Sequence, residues 1–221
     1  MTTPLPNLLY LILAWLLYFA LHSASASLTV KRHIAACWPQ FAAYYRIFYN
    51  VLAVVTLIPP LWLLEISRGD WLWTWQGAWG WAANGLALAA VVGFWWSLRY
   101  YDTREFLGLR QTQVPEGRQR FALSPLHRYV RHPWYFFALV IIWTRDIDPA
   151  WLVSCVAITL YFAVGSYWEE QKLIAEFGEP YRRYRRRVPG LVPLPGRYLT
   201  RAEAAEIVEA ANRTEADKTP G

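Results

Sequence analysis

The chain has 221 residues, of which 56% are hydrophobic, 17% are aromatic and 17% are charged, and its formal net charge is +6. A soluble globular domain carries about 25% charged residues, so this composition argues against one and favours a membrane protein. Basic cytoplasmic loops explain the positive charge without a nucleic-acid partner. The two cysteines, Cys37 and Cys155, predict neither a disulfide framework nor a CxxC site.

The first half of the sequence predicts three transmembrane helices, at about residues 5–24, 44–64 and 80–98. The first apolar run is longer than the core of a signal peptide, so we expect it to be an uncleaved span, with a cleavable signal as the alternative. The second run contains Pro59-Pro60, which membrane helices tolerate. The tryptophans before the third run are typical of an interfacial belt: Trp71, Trp73, Trp75, Trp79 and Trp81.

The second half predicts a helical hairpin that follows a polar segment from Arg99 to Arg131. Its first arm, at 133–144, is about 12 apolar residues long, which is short for a bilayer core of about 30 Å. Residues upstream of Pro133 extend this arm, or other helices shelter it. Charged residues then mark a turn, and a longer span follows at about 150–168.

The charge of the loops predicts the orientation of the chain. Basic connections after the first, third and last spans alternate with acidic ones after the second and fourth. The positive-inside rule therefore places the N-terminus outside and the C-terminus in the cytoplasm of a multi-pass inner-membrane protein. The predicted fold is all-α and integral to the membrane, with about five transmembrane helices, a hairpin formed by the last two, and a cytoplasmic C-terminal cap.

Three regions follow from this organisation. Residues 1–98 form a three-helix membrane region, and 99–199 contain the cytoplasmic loop, the hairpin and the tail behind it. Residues 200–221 form a short helix and a disordered end, because Thr200 and Glu203 fit a capping box.

Charged and aromatic residues gather at both cytoplasmic ends of the predicted hairpin. Arg128 to Tyr135 precede or open the first arm, and Glu169-Glu170 close the second. Considered by themselves, Arg131 and His132 are explained as snorkelling anchors at the membrane surface. The arginines among residues 182–187 are most simply explained as an anchor for anionic lipid. Acids at a helix C-terminus oppose the macrodipole, which disfavours a purely structural role. A hairpin brings both groups together, so we expect a binding site beside an apolar cavity.

One ordered set of residues spans roughly 125–193: Arg131-His132-Pro133-Trp134-Tyr135, Glu169-Glu170, Leu173, Phe177-Gly178, Tyr181, Tyr184, Val188-Pro189 and Pro193. This set resembles the isoprenylcysteine carboxyl methyltransferase superfamily of integral membrane enzymes. A weaker set lies mostly in the first half: Leu21-His22-Ser23, Val30-Lys31-Arg32, Tyr45 to Asn50 and Leu107 to Gln111. It is similar to bacterial methanethiol S-methyltransferases and to membrane proteins associated with nitrite and nitric oxide reduction.

The resemblance implies an S-adenosylmethionine-dependent methyltransferase without a metal. Its catalytic residues would be His132, Glu169 and Glu170. Its cofactor-binding residues would be Tyr129, Arg131, His132, Pro133, Tyr135, Glu169, Glu170, Tyr181 and Tyr184. The expected acceptor is a small lipophilic molecule, with thiol S-methylation favoured over carboxyl O-methylation.

Two departures from the superfamily concern the pocket. Phe137 stands where the superfamily usually has glycine, and Pro125-Leu126-His127 replaces an upstream Gly-Pro-Tyr. A phenylalanine in place of glycine narrows the pocket and disfavours a long prenyl chain.

Other functions fit the sequence less well. The four histidines form none of the clusters that a di-iron or zinc site requires. Many transporters consist of two repeated halves, and this sequence shows no such repeat. The main alternative is a non-catalytic accessory membrane protein on the same scaffold. The sequence leaves open the acceptor, the choice among S-, O- and N-methylation, and the oligomeric state.

Overall fold

The computed structural model describes residues 5–42, 44–101 and 120–216. The α-helices in these ranges are α1 (Leu5–Ala26), α2 (Leu28–Cys37), α3 (Pro39–Ala42), α4 (Tyr45–Ile66), α5 (Gly77–Ser97), α6 (Pro133–Trp143), α7 (Pro149–Phe177), α8 (Glu179–Arg187) and α9 (Arg201–Ala216). Short 3-10 turns cover Leu98–Tyr100 and Pro125–Arg128. The described part of the chain has no strands beyond an isolated antiparallel bridge between Trp73 and Ile147. The predicted all-α fold is confirmed.

Four of these helices, α1, α4, α5 and α7, are long and apolar enough to cross a membrane. The expected fifth span, α6, has 11 residues and a length of about 16 Å, as its short apolar run indicated. Five crossings and a cytoplasmic cap therefore stay predictions. The tail after 216, and the family resemblance at Leu107 to Gln111, lie outside the described residues.

Local capping explains where α7 and α9 begin. The buried Asp148 accepts a hydrogen bond from the Trp151 backbone N–H at 2.8 Å, which satisfies a free donor in the first turn of α7. The predicted capping box opens α9. Thr200 Oγ1 accepts from the Glu203 N–H at 3.2 Å, while Glu203 Oε2 accepts from the Thr200 N–H at 2.7 Å.

The chain divides into two compact units that alternate along the sequence. The first contains α1 to the start of α5 together with residues 143–159. Leu11 and Trp15 of α1 pack with Leu64 of α4 and Ala150 of α7. The division of the chain into three regions with boundaries at 98 and 199 stays a prediction. The two packing units do not test it, because each combines separate parts of the sequence.

The second unit contains the rest of α5, α6, the C-terminal half of α7, and α8 and α9. At Gly178 the backbone adopts a φ of +63°, a conformation that favours glycine, and it reverses the chain from α7 into α8. The buried core of this unit joins α7, α8 and α9: Phe121, Phe177, Tyr181, Tyr184, Val188, Leu199, Ala204, Ile207 and Ala211.

Contacts at both ends of α6 confirm the predicted hairpin. At its C-terminal end, Trp143 Nε1 donates to Thr159 Oγ1 at 3.0 Å. At its N-terminal end, the rings of Tyr135 and Phe162 stack with centroids 4.4 Å apart. Since position 135 meets 162 and position 143 meets 159, α6 and α7 run antiparallel.

Candidate functional site

A buried carboxylate, that of Glu170, lies at the centre of the candidate site. Its side chain is 4% exposed. Oε1 accepts a hydrogen bond from Arg131 Nε at 2.8 Å and lies 2.7 Å from Arg131 Nη2. His132 Nε2 lies 3.1 Å from the same oxygen, and Arg185 Nε lies 2.9 Å from Oε2. Two guanidinium groups thus offset the cost of burying this charge.

The backbone places Arg131 and His132 directly before the first residue of α6. His132 precedes a proline and so favours an extended conformation, which keeps it out of the helix and leaves its backbone N–H available. Arg131 donates its N–H to the Pro189 carbonyl at 2.9 Å, and His132 donates to Gly190 at 3.1 Å. A Cβ atom at Gly190 would lie 3.2 Å from Arg131 Nη2, so glycine permits this close approach.

The Arg131 side chain also binds the last turn of α8 and the residues directly after it. Its Nη1 donates to the Arg185 carbonyl at 3.0 Å and, in a short contact, to the Val188 carbonyl. We call residues 185–190 the strap, because this segment wraps around Arg131. The strap connects the beginning of α6 to the end of α8.

An aromatic stack leads from the charged cluster into the hairpin. The His132 and Tyr135 rings lie 5.4 Å apart with an interplanar angle of 10°, and Tyr135 stacks in turn on Phe162 at 4.4 Å and 3°. The Glu169 side chain is 52% exposed, and its Oε2 lies 3.6 Å from His132 Nδ1. Glu169 therefore borders the cluster from its open side.

The other residues predicted from sequence lie around this cluster. Tyr181 and Tyr184 are buried in the core of the second unit, where Tyr184 donates its hydroxyl to the His127 carbonyl at 2.7 Å. Burial, and secondarily the charge of Glu170, raises the pKa of the Tyr181 phenol. Tyr129 is exposed and stacks on Tyr198. Pro133 is buried at the start of α6. The cofactor contacts assigned to these four residues stay predictions.

Sequence reasoning missed Arg185, which it placed in a run of arginines interpreted as a lipid anchor. Three of those arginines face acids: Arg185 faces Glu170, Arg183 faces Glu206 and Arg186 faces Glu179. One available signal was the sequence Phe177-Gly178-Glu179-Pro180, since glycine ends helices and proline begins them. This signal predicts a chain reversal that carries α8 back beside α7. Sequence reasoning also missed the strap glycine, Gly190, and the stacking partner Phe162.

The cluster is suited to a ligand with both charges and an aromatic group. Guanidinium groups bind carboxylates, glutamates accept from hydroxyl or ammonium groups, and tyrosine or histidine rings pack on a heteroaromatic base. Among the described residues, no three His, Cys, Asp or Glu side chains are arranged to bind a metal ion. The guanidinium, carboxylate and ring groups of the cluster match the parts of S-adenosylmethionine, namely its amino-acid end, ribose diol and adenine.

Comparison with known proteins identifies several relatives. The chain is 31% identical over 184 residues to methanethiol S-methyltransferase 2 of Bradyrhizobium diazoefficiens. The aligned region covers 76% of this chain and 70% of that protein. It is 31% identical over 193 residues to a methanethiol S-methyltransferase of a Pseudomonas species, with coverages of 80% and 70%. For the Mycobacterium tuberculosis protein of that name the identity is 30% over 189 residues, with coverages of 80% and 74%. No protein-family model and no solved structure matches the chain.

Proposed function

Because the chain belongs to the methanethiol S-methyltransferase family of membrane methyltransferases, we propose that it methylates a small lipophilic thiol with S-adenosylmethionine as donor. The observation that supports the site is the buried cluster of Arg131, His132 and Glu170 at the end of the hairpin. The thiol preference rests on the relatives, whose names specify methanethiol. We propose that the acceptor enters from the bilayer of the inner membrane.

The cofactor, when bound, supplies a methyl group on an electrophilic sulfonium. In-line displacement needs alignment more than chemical assistance, so a rigid site contributes much of the rate. The strap and the ring stack of His132, Tyr135 and Phe162 supply this rigidity. We propose that Glu169 and Glu170 accept hydrogen bonds from the cofactor and that the Tyr135 face packs against it.

We propose that His132 removes the thiol proton. Glu170 Oε1 faces Nε2 at 3.1 Å, which favours the tautomer with its proton on Nε2. Nδ1 then carries the free lone pair, and it accepts the proton as the thiol becomes a thiolate. Glu169, 3.6 Å from Nδ1, stabilises the resulting imidazolium.

The first test measures cofactor binding to the detergent-solubilised protein by calorimetry. We expect Glu170→Gln to weaken binding of S-adenosylmethionine by about 10- to 150-fold, because a charge-assisted contact is lost. Glu206→Gln, which affects only an exposed ion pair with Arg183, is the matched control. Thermal melting of each variant separates lost binding from lost folding. Parent-like affinity of the Glu170 variant would show that the site assignment is wrong.

The second test measures transfer of a labelled methyl group to methanethiol, a longer alkyl thiol and a farnesylated cysteine analogue. We expect thiol methylation, and a His132→Gln variant whose turnover falls by a larger factor than its cofactor affinity. Methylation of the farnesyl compound alone would overturn the thiol proposal. Cofactor binding without transfer to any acceptor would favour the accessory-protein alternative.

A further inference from the structure

The two guanidinium groups beside Glu170 differ in the number of donors that they have left. The Arg131 side chain is 11% exposed, and Nε, Nη1 and Nη2 all face oxygen atoms of Glu170 or the strap. The Arg185 side chain is 38% exposed, and its Nε faces Glu170. Within the described part of the chain, the Arg185 side chain makes no other hydrogen bond or ion pair. As far as residues 5–42, 44–101 and 120–216 are concerned, its two terminal nitrogens are left for a ligand.

The charges of the cluster indicate what that ligand carries. Arg131 and Arg185 each contribute a positive charge, and Glu170 contributes the one buried negative charge. Glu169 projects to the open side, where half of its side chain is exposed. Arg131, Arg185 and Glu170 together carry one excess positive charge, which Arg185, 38% exposed, presents to the open side that Glu169 borders. The planar edge formed by Nη1 and Nη2 matches the two oxygens of a carboxylate.

We propose that Arg185 binds the α-carboxylate of the methyl donor through Nη1 and Nη2 while its Nε remains on Glu170. This inference rests on the proposed function and names the residue that recognises one end of the cofactor. Arg131, with its donors already engaged, holds the strap and Glu170 in place. Tyr181 and Tyr184, buried on the same helix as Arg185, position α8.

The orientation of Arg185 is fixed before the ligand binds. Its backbone carbonyl accepts from Arg131 Nη1 at 3.0 Å, and its side chain is directed by Glu170 Oε2 at 2.9 Å. A preorganised arginine loses less conformational entropy on binding than a free surface arginine. The neighbouring Arg186 pairs instead with the exposed Glu179, so its replacement serves as a matched control.

The test compares S-adenosylhomocysteine with its decarboxylated analogue, which lacks only the α-carboxylate. Calorimetry on the full-length protein in detergent measures both affinities for the parent and for Arg185→Gln, Arg185→Lys and Arg186→Gln. We expect the parent to prefer the carboxylate compound at least about tenfold. Arg185→Gln abolishes this preference, whereas Arg186→Gln keeps it. Arg185→Lys restores part of it, because lysine keeps the charge without the paired donors.

The outcomes separate this inference from the proposed function. If the parent binds neither compound, the proposed function fails. If the parent binds both equally, or if Arg185→Gln keeps the parent's preference, Arg185 does not recognise the carboxylate. A purely structural role of Arg185 predicts equal losses of affinity for both compounds, which would also overturn the inference.

Discussion

Burial near the candidate site changes the protonation of one histidine, His127. His127 lies in the turn before the cluster, with Ser124 Oγ 2.8 Å from its Nδ1. Burial, followed by the proximity of His132, lowers the pKa of His127 to about 4. Its backbone carbonyl receives the Tyr184 hydroxyl, so this turn anchors α8. Protonation of His127 therefore affects the turn that holds α8 and the strap in place.

This shift predicts a loss of stability in acid. An unfolded chain has a histidine pKa of about 6.5, so between about pH 6.5 and 4 it binds a proton that folded His127 does not. Stability consequently falls as the pH falls, by on the order of 1–2 kcal/mol at pH 5. We expect His127→Gln to reduce the decrease in melting temperature between pH 7 and pH 5. The exposed His33 provides the control, His33→Gln, and identical pH profiles for all three proteins would contradict the prediction.

Pairs of elements pack through size complementarity, as α5 and α6 demonstrate. A Cβ atom at Gly93 of α5 would lie 2.7 Å from Cζ of Phe137, a distance that real contacts do not show. The Phe137 ring is buried against the α5 backbone, and Trp134 donates to Ser97 Oγ at 2.8 Å one turn away. Glycine at 93 therefore makes room for the phenylalanine that departs from the superfamily pattern.

Adding a methyl group to this contact tests the packing. We expect Gly93→Ala to lower the melting temperature, because overpacking by about 1–3 kcal/mol exceeds the gain of up to about 1 kcal/mol in helix propensity. Phe137→Ala should suppress this effect, so the double variant is less destabilised than the sum of the single ones. Gly85→Ala, on the same helix with open space at its Cβ, is the control. Additive effects would exclude direct packing of Phe137 on Gly93.

The sequence predicted the elements better than the contacts between them. Apolar runs specify helices such as α1 and α4, and a charged turn between two such runs specifies the hairpin. The hairpin by itself is enough to bring Arg131 and His132 near Glu170. Arg185 was not predicted, because its position depends on the reversal at Gly178 and on the burial of α8. The spacing of Tyr181, Tyr184 and Val188 indicates the inward face of α8, but it does not indicate that Arg185 meets Glu170.

At the scale of the whole molecule, the side of the membrane on which each connection lies is still a prediction. The distribution of charge places Cys37 in the cytoplasm and Asp146 outside. Both are exposed, whereas Cys155 is buried. We expect an impermeant maleimide applied to intact cells to label Asp146→Cys and to leave Cys37 unmodified until the membrane is opened. Arg118→Cys, in the polar part of the sequence outside the described residues, should behave like Cys37.

The reverse pattern, or labelling of Cys37 in intact cells, would contradict the predicted topology. A Cys37→Ser version of Asp146→Cys controls for background labelling. A cytoplasmic C-terminus would place the strap and Glu170 on the side where S-adenosylmethionine is made, as the proposed function requires. The orientation experiment therefore also tests whether the cofactor has access to the site.

The strap also determines when during biosynthesis the site is completed. The Arg131 guanidinium and the Val188 carbonyl are 57 positions apart in the sequence. At a translation rate of roughly 5–20 residues per second, Arg131 is synthesised roughly 3–11 s before this partner. The hairpin can thus insert into the bilayer before the candidate site has formed. A nascent chain stalled before the strap is synthesised would contain the hairpin helices α6 and α7 but not the residues that bind the Arg131 side chain.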